Sequence, residues 1–218
     1  YENVSGIGNI TVTGVGRSMF VTSNNTYTGN VTLNLGIGGN LQIGAATAGN
    51  QNFIPDTASV TVNDTTSNTL AEFRLSVGGE TIAGLNGNGT IDANAINSTL
   101  TVGSGNVGGT FSGVIQNGGA NTVGLTKIGT GVQILSGANT TTGLFTVSGG
   151  LLRLSNASAI SGGLAATGGT AGLTVNGGVV GLGASDLLRG LGTGVTQVQL
   201  TGGASGFSAH GATRTVNF

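Results

Sequence analysis

Three carboxylates, Glu72, Glu80 and Asp92, form a cluster along the chain that could carry out acid–base chemistry. Glycoside hydrolases use paired carboxylates, one as the acid and the other as the nucleophile or base. Glu72 and Asp92 lie about one repeat length apart, so stacked turns would place them side by side. However, no Lys or Arg lies between Arg74 and Lys127, and aromatic residues that could bind sugar rings make up 4% of the chain. We therefore predict exposed charges on a rod and no catalytic residues, with a β-helix polysaccharide-active enzyme as a lesser alternative.

A glycine motif, GSGNVG, places Gly103, Gly105 and Gly108 at the spacing of a dinucleotide-binding fingerprint. That fingerprint requires a helix directly afterwards, because the amides of the helix N-terminus bind the pyrophosphate. The sequence that follows, GTFSGVIQNGG, is typical of a strand and a turn instead. Chance matches are expected in a chain with 45 glycines, so we predict no nucleotide cofactor.

Candidate metal ligands are sparse. The stretch GNGTID is close to a calcium-binding nonapeptide, but Asp92 is displaced by one position relative to Gly89 and the motif does not recur. One carboxylate cannot supply the six or more oxygen ligands that Ca²⁺ needs. His210 is the single histidine and cysteine is absent, so neither a His-centred triad nor a thiolate site can be assembled. We predict no metal and no cofactor.

The composition also limits the possible partners. The formal net charge is -1 with Lys+Arg 6, which leaves no basic stripe to bind nucleic acid. No apolar run approaches the ~20 residues of a membrane-spanning helix. Hydrophobic residues make up 37% of the chain and the mean hydropathy is +0.27, so the chain can bury a core although only 6% of its residues are charged. One continuous domain, 1–218, is predicted.

Short runs of alternating apolar and polar residues cover most of the chain, as in ITVTG, NVTLNL and VQILSG, and each run ends at Gly or Asn. This pattern predicts an all-β fold of short strands joined by turns. The window SDLLRGLG from Ser185 allows at most one helical turn, because Gly190 and Gly192 disfavour a helix. Residues 45–59, which contain Pro55, are predicted to form a loop that leaves the strand stack.

An internal repeat relates a unit near residues 24–44 to a unit within residues 125–156. The alignment pairs Asn25 with Asn139 and Gly29 with Gly143, and Gly150 lies at the turn of the second copy. The apolar positions also align, Val31 and Leu33 with Phe145 and Val147, and Leu41 and Ile43 with Leu152 and Leu154. The alternate positions stay polar, as pleating with a period of two requires, because Gln42 aligns with Arg153.

Units this small cannot bury an apolar face alone, so we expect them to stack into a solenoid with one continuous core. With roughly 20 to 25 residues per turn, the chain would make about ten turns. Stacking would bring like residues into register, so that Asn and Thr form ladders along the axis. Glycine is expected at the corners, where a Cβ would not fit.

Residues Leu125 to Asn156 read LTKIGTGVQILSGANTTTGLFTVSGGLLRLSN. This segment resembles the autotransporter-associated β-strand repeat, also called the passenger-associated transport repeat. The marks of the repeat are Leu125, Lys127, Gly129, Gly131, Leu135, Ser136, Gly137, Asn139, Thr140, Gly143, Gly150, Leu152 and Leu154. The copy from Asn25 matches less well, because it has an insertion between its strands. The resemblance implies a right-handed parallel β-helix in a bacterial cell-surface or secreted protein, and it brings no catalytic residues.

Together these features predict a structural extracellular module, either a stiff spacer or a filament-forming subunit that self-associates end to end or side by side. NITVTG near the start and RTVNF near the end both read as strands without a polar cap. The alternative is an adhesin whose loop from Gly44 to Ser59 contacts a glycan or a surface protein. Ice binding is a lesser alternative, because the Thr-x-Thr pairs are irregularly spaced, at Thr11/Thr13, Thr26/Thr28, Thr99/Thr101, Thr140/Thr142 and Thr213/Thr215.

Overall fold

The structure is a computed structural model that describes residues 4–20, 25–50, 52–66, 72–165 and 169–218. Nearly all of its regular structure is β. The strands are β1 (Ser5–Gly6), β2 (Ile10–Gly14), β3 (Arg17–Phe20), β4 (Thr26–Tyr27), β5 (Val31–Leu35), β6 (Asn40–Asn50), β7 (Val60–Asp64), β8 (Glu72–Ile82), β9 (Leu85–Gly87), β10 (Thr90–Ala93), β11 (Ser98–Val102), β12 (Gly109–Phe111), β13 (Val114–Ile115), β14 (Val123–Lys127), β15 (Val132–Leu135), β16 (Phe145–Val147), β17 (Leu151–Leu154), β18 (Leu173–Asn176), β19 (Val179–Leu182), β20 (Leu187–Leu188), β21 (Val198–Gly202), β22 (Gly206–Ala209) and β23 (Val216–Asn217).

Two long parallel sheets make up most of the fold. The nine-stranded sheet has the order β2-β5-β7-β9-β12-β15-β17-β19-β22. The ten-stranded sheet contains β3, β6, β8, β10, β11, β13, β14, β16, β18 and β21, and the pairs β1-β4 and β20-β23 form two small sheets. Neighbouring strands come from successive turns of the chain, as in a parallel β-helix. The predicted all-β parallel β-helix is therefore confirmed, whereas its right-handedness and about ten turns stay predictions.

The register of strand pairing shows how the chain winds. Val60 of β7 pairs with Val31 in the preceding turn and with Leu85 in the following turn. In the ten-stranded sheet, residues 72–75 of β8 pair with β10 and residues 79–82 of the same strand pair with β11. One long strand therefore serves two partners that are separate strands in the next turn.

The core lies between the sheets and follows the alternation of each strand. In β5, Val31, Leu33 and Leu35 are buried whereas Thr32 and Asn34 are partly exposed. Side chains of successive turns stack in columns, because parallel pairing puts like positions next to each other. The stacked apolar columns supply the hydrophobic stabilisation that a single turn cannot provide.

The loop predicted over residues 45–59 is shorter than expected, and it packs into the core instead of leaving the strand stack. Strand β6 continues to Asn50, and Gln51 lies outside the described residues. Residues 52–59 contain no strand, but Phe53, Ile54 and Ala58 are buried. The segment turns inward because these apolar side chains gain more from burial than from contact with water. Its exposed side chains are Asp56 and Thr57.

The window near Ser185, in which at most one helical turn is expected, contains a strand and no helical turn. Leu187 and Leu188 form strand β20, which pairs with β23, and Leu187 is buried. The helical turn that the described residues do contain is a short 3₁₀ turn at Ser104–Asn106, inside the glycine motif. β12 begins at Gly109, so no helix N-terminus follows that motif to receive a pyrophosphate.

The two repeat copies lie on different sheets. The copy that begins at Asn25 continues into β5 of the nine-stranded sheet and then into β6 of the ten-stranded sheet. The copy that begins at Asn139 continues into β16 of the ten-stranded sheet and then into β17 of the nine-stranded sheet. The repeat therefore corresponds to a strand, a turn and a second strand, and its first strand can belong to either sheet.

Candidate functional site

The stacked carboxylate pair expected from sequence is interrupted by an arginine. In the register of β8 and β10, Glu72 pairs with Thr90 and Arg74 pairs with Asp92. The Arg74 guanidinium forms ion pairs with both carboxylates, through Nη2 to Oδ2 of Asp92 at 2.9 Å and through Nη2 to Glu72. The hydrogen bond to Asp92 is the main cause that raises the pKa of Arg74 above its ordinary value.

This triad differs from the exposed charges that we expected. Asp92 is 4% exposed and Glu72 is 9% exposed, so both carboxylates are buried against their neighbours in the stack. The guanidinium offsets one of the two negative charges and donates hydrogen bonds to both carboxylates. The arrangement can therefore hold β8 against β10.

Glu80 lies apart from this triad, in the core. Its carboxyl group accepts hydrogen bonds from the backbone N–H groups of Ile54, at 2.7 Å, and of Phe53, at 3.3 Å. Burial is the largest cause that raises the pKa of Glu80 to about 8; the two amide hydrogen bonds oppose this rise, and the charge of Asp56 adds to it. The structure therefore separates Glu80 from the two carboxylates with which the sequence groups it.

Lys127 is a mark of the repeat that occupies a core position. In register it lies between Val102 and Val147, and its side chain is fully buried. The Nζ atom donates to the backbone carbonyl groups of Ile128, Gly129 and Gly149 at the corner of the turn. Burial lowers the pKa of Lys127. The stem therefore continues the apolar column while the ammonium group caps carbonyls that lack strand partners.

Arg189 is the largest fully buried side chain among the described residues. Its Nε and Nη2 atoms donate to the carbonyl of Gly163 at 3.1 and 2.8 Å, and Nη2 also donates to Ser161 at 2.9 Å. Nη1 donates to the carbonyl of Ala171. No carboxylate pairs with Arg189 in the part of the chain that is described, and burial lowers its pKa.

His210 lies close to one serine hydroxyl group. Its Nε2 atom lies 3.1 Å from the hydroxyl of Ser208, but no carboxylate hydrogen-bonds the imidazole within the described ranges. A Ser–His pair without an orienting group lacks the third member of a triad. Within the same ranges, no group of three or more His, Asp or Glu side chains could hold a metal ion.

The repeat asparagines make equivalent hydrogen bonds. Oδ1 of Asn25 accepts from the N–H of Val4 at 2.7 Å, and its Nδ2 donates to the carbonyl of Phe53 at 2.7 Å. Oδ1 of Asn139 accepts from Ile115 at 2.8 Å, and its Nδ2 donates to Ala159 at 2.7 Å. Each buried side chain therefore joins the preceding turn to the following one.

The repeat glycines allow close approach of neighbouring turns. A Cβ atom at Gly29 would lie 2.0 Å from the carbonyl oxygen of Gly8, and one at Gly143 would lie 2.2 Å from that of Val123. No side chain fits at either position without moving the backbone. The remaining repeat positions, Phe145, Val147, Leu152 and Leu154, are fully buried, and Gly150 has φ 56° at the turn between them.

The Thr-x-Thr pairs do not share a face. Thr11 and Thr13 lie in β2 of the nine-stranded sheet, whereas Thr99 and Thr101 lie in β11 of the ten-stranded sheet. A different set of threonines does stack in register on the outer side of the ten-stranded sheet, namely Thr81, Thr101, Thr126, Thr146 and Thr174. The sequence does not predict this column, because its members come from turns of unequal length.

Two shallow clefts flank this column. One, of about 240 Å³, is lined by Thr99, Gly124 and Leu144, and the other, of about 310 Å³, by Leu144, Gly172 and Val195, among other residues. Neither cleft is lined by an ionisable side chain. In the described residues there is no helix with the length and apolar character needed to cross a membrane.

Comparison with known proteins gives one match. Residues 125–154 match the family model of the passenger-associated-transport-repeat. No curated protein sequence and no solved structure matches the chain. The matched residues run from β14 to β17 and include Lys127, Asn139 and Gly143, whose contacts hold successive turns together. Residues 125–154 are therefore similar to a passenger-associated transport repeat, and they lie within a parallel β-helix.

Proposed function

We propose that this chain is a structural, non-catalytic segment of a bacterial surface or secreted protein, in which it acts as a stiff spacer. The observation that carries the proposal is the parallel ladder of nine strands with a continuous buried core. Nine strands at a spacing of ~4.8 Å correspond to a rod of roughly 40 Å. The extracellular location rests on the transport repeat at residues 125–154.

Side chains that cross between turns support a stiff rod. Asn25 and Asn139 each bind the turns before and after their own. Gln133 reaches further, because its side-chain amide donates to the carbonyl of Leu85 at 2.9 Å and accepts from the N–H of Leu85 at 3.2 Å, over a sequence separation of 48 residues. Bending the rod at these turns would break buried hydrogen bonds.

A distance measurement between two spin labels tests the spacer. The chain contains no cysteine, so Thr11→Cys and Ser208→Cys introduce unique labelling sites. Both residues lie in the edge strands of the nine-stranded sheet, β2 and β22. We expect a single narrow distance distribution near ~40 Å by double electron–electron resonance. A broad distribution, or a mean well below this distance, would contradict a stiff rod.

End-to-end association is a second candidate, and the last turn favours it. Strand β21 is an edge of the ten-stranded sheet apart from an isolated bridge between Leu191 and Val198. Leu191 and Leu200, the second of which lies in β21, are exposed and line an apolar cleft of about 320 Å³. Ile7, before β2 of the nine-stranded sheet, is 98% exposed. Exposed apolar side chains at a sheet edge favour the addition of another strand layer, from the same polypeptide or from a second copy.

Sedimentation velocity of chain 1–218 over a range of concentrations tests this association. We expect growth of large species, which Leu200→Lys should suppress by placing a charge at the edge. The matched control is Val132→Lys, because Val132 is also exposed but lies in β15, inside the nine-stranded sheet. Suppression by Val132→Lys alone would indicate side-by-side packing instead, and a monomer at all concentrations would exclude both.

A further inference from the structure

Segment 52–59 is buried without a strand ladder, so its backbone amides need other acceptors. The N–H groups of Phe53 and Ile54 both donate to the carboxyl group of Glu80, at 3.3 and 2.7 Å. On the other side of the segment, Nδ2 of Asn25 donates to the carbonyl of Phe53. The segment is therefore held between one carboxyl group and one amide side chain.

The surroundings of Glu80 contain no compensating cation. Glu80 is 1% exposed, and no Lys, Arg or His side chain of the described residues forms an ion pair with it. The ionisable groups that face it are Tyr27 of β4 and Asp56 of segment 52–59. The Tyr27 hydroxyl is buried without a hydrogen-bond partner, and burial together with the Glu80 charge raises the pKa of Tyr27 above its ordinary value. Of these two neighbours, Asp56 disfavours the carboxylate form of Glu80 through its charge.

We propose that Glu80 is a pH-sensitive clasp, which docks segment 52–59 in its neutral form and loosens the segment when it ionises. A neutral carboxyl group accepts the two amide hydrogen bonds without placing a charge in the core. A buried carboxylate without a cation is costly, and opening of the segment would let water reach it.

The direction of the pH dependence follows from proton linkage. Burial raises the pKa of Glu80 from 4.5 to about 8, so the folded state binds the proton more tightly than the open state does. The stabilisation by neutral Glu80 is fully present below pH 4.5, declines as the pH rises, and is lost above about pH 8. Inside this window, the opening equilibrium changes by up to about tenfold per pH unit.

Amide hydrogen exchange of the whole chain tests the clasp. The observable is the protection factor, which is the exchange rate relative to the intrinsic rate at the same pH. Between pH 5 and pH 8 we expect protection of Phe53 and Ile54 to fall by about tenfold or more. The amide of Thr170, which bonds to Ser161 in another irregular segment, serves as an internal control and should stay constant.

The matched variant is Glu80→Gln, which has the same shape and does not titrate. Its Oε1 can accept from Ile54, whereas its Nε2 cannot accept from Phe53, so the comparison concerns the pH dependence of protection and not its absolute value. In this variant, protection of Phe53 and Ile54 should be independent of pH. An equal fall in both proteins, or a constant protection in the wild type, would overturn the proposal.

A second measurement does not depend on the variant's folding. The ¹³C chemical shift of the Glu80 carboxyl group in the wild-type protein reports its titration directly, and we expect a midpoint of about pH 8. A midpoint near the ordinary 4.5 would overturn the clasp, even if the segment opens at high pH for another reason.

Discussion

Two irregular segments, residues 52–59 and the described residues 155–165 and 169–172, have their polar backbone groups bound by side chains of opposite character. In both, backbone that lacks strand partners is buried, and in both a repeat asparagine donates to a carbonyl group, Asn25 to Phe53 and Asn139 to Ala159. The first segment also offers N–H groups, which bind a carboxyl group from β8. The second offers carbonyl groups, which bind a guanidinium group next to β20.

The difference between the two side chains indicates which segment of the rod responds to pH. Arginine keeps its charge over the pH range in which proteins fold, so Arg189 holds its segment at any such pH. Glu80 titrates near pH 8, so its segment depends on the proton concentration. Buried N–H groups are bound here by a carboxyl group, which can change its charge with pH. Buried carbonyl groups are bound by a guanidinium group, which cannot.

Arg189→Met should cause the largest effect. The change leaves the buried carbonyl groups of Ser161, Gly163 and Ala171 without donors, which should cost about 3 kcal/mol or more. Urea unfolding would measure the loss, which should be the same at pH 6 and pH 9. Arg214→Met is the matched control, because Arg214 also donates to a carbonyl group, of Gly183 at 3.0 Å, but is partly exposed. An equal loss in the free energy of unfolding for both variants would contradict a special role for the buried hydrogen bonds of Arg189.

Glu80→Gln should give a smaller change whose size depends on pH. At pH 5 the variant should be no more stable than the wild type, because Glu80 is neutral in the fold and Gln can accept only one of its two amide hydrogen bonds. At pH 9 the variant should be more stable, by about 2 kcal/mol, since the wild type then carries a buried charge. A variant that is less stable than the wild type at pH 9 would mean that the carboxylate form supports the segment.

Asn25→Leu and Asn139→Leu should cost similar amounts. Each change removes two buried hydrogen bonds to the backbone, which should cost about 1 to 3 kcal/mol. Thermal unfolding of the two variants would compare them directly. Because Asn25 and Glu80 hold the same segment, Asn25→Leu should also increase exchange of the Ile54 amide, whereas Asn139→Leu should not. A change at Ile54 in both variants would show that the two segments are coupled.

Arg153→Gln should have the smallest effect. Arg153 is partly exposed between the buried Leu152 and Leu154, but its Nε atom is buried without a hydrogen-bond partner among the described residues. Its aligned partner in the other copy, Gln42, is 6% exposed. We expect a change within about 0.5 kcal/mol, and little dependence of the wild type on salt, because few charges lie on the surface. Unfolding at low and high salt would measure both. A strong salt dependence would indicate that exposed ion pairs contribute to the rod.

The alternation of residues made much of the fold predictable, but it did not place the buried ions. Phe73 and Leu75 are buried on one side of the two glycines 78–79, whereas Glu80 and Ile82 are buried on the other side. The two glycines therefore shift the phase of the alternation, and a pattern carried straight through β8 points Glu80 outward. The burial of Arg189 is not predictable from the pattern around it, which allows at most one helical turn, although Arg189 lies two residues after the buried Leu187.

The alignment of the two repeat copies predicted the equivalent hydrogen bonds of their asparagines, but it did not predict which sheet each copy joins. Asn25 and Asn139 make matching hydrogen bonds, as their alignment suggests, yet their copies enter different sheets. The sequence pattern of a strand, a glycine turn and a second strand is the same whichever of the two sheets the first strand joins. The sequence pattern therefore specifies local geometry, and only the pairing of successive turns decides which sheet a strand joins.

The contact between Gln133 and Leu85 bears on how such a rod can change in length during evolution. Solenoids are commonly thought to gain or lose single turns, since each turn contacts only its neighbours. Here the side chain of Gln133 passes Gly109 and binds the backbone of Leu85 beyond it, over 48 residues. Deleting or inserting one turn between them would move Gln133 away from its partner. The smallest unit that can be copied or removed intact at this place is therefore a block of three consecutive turns.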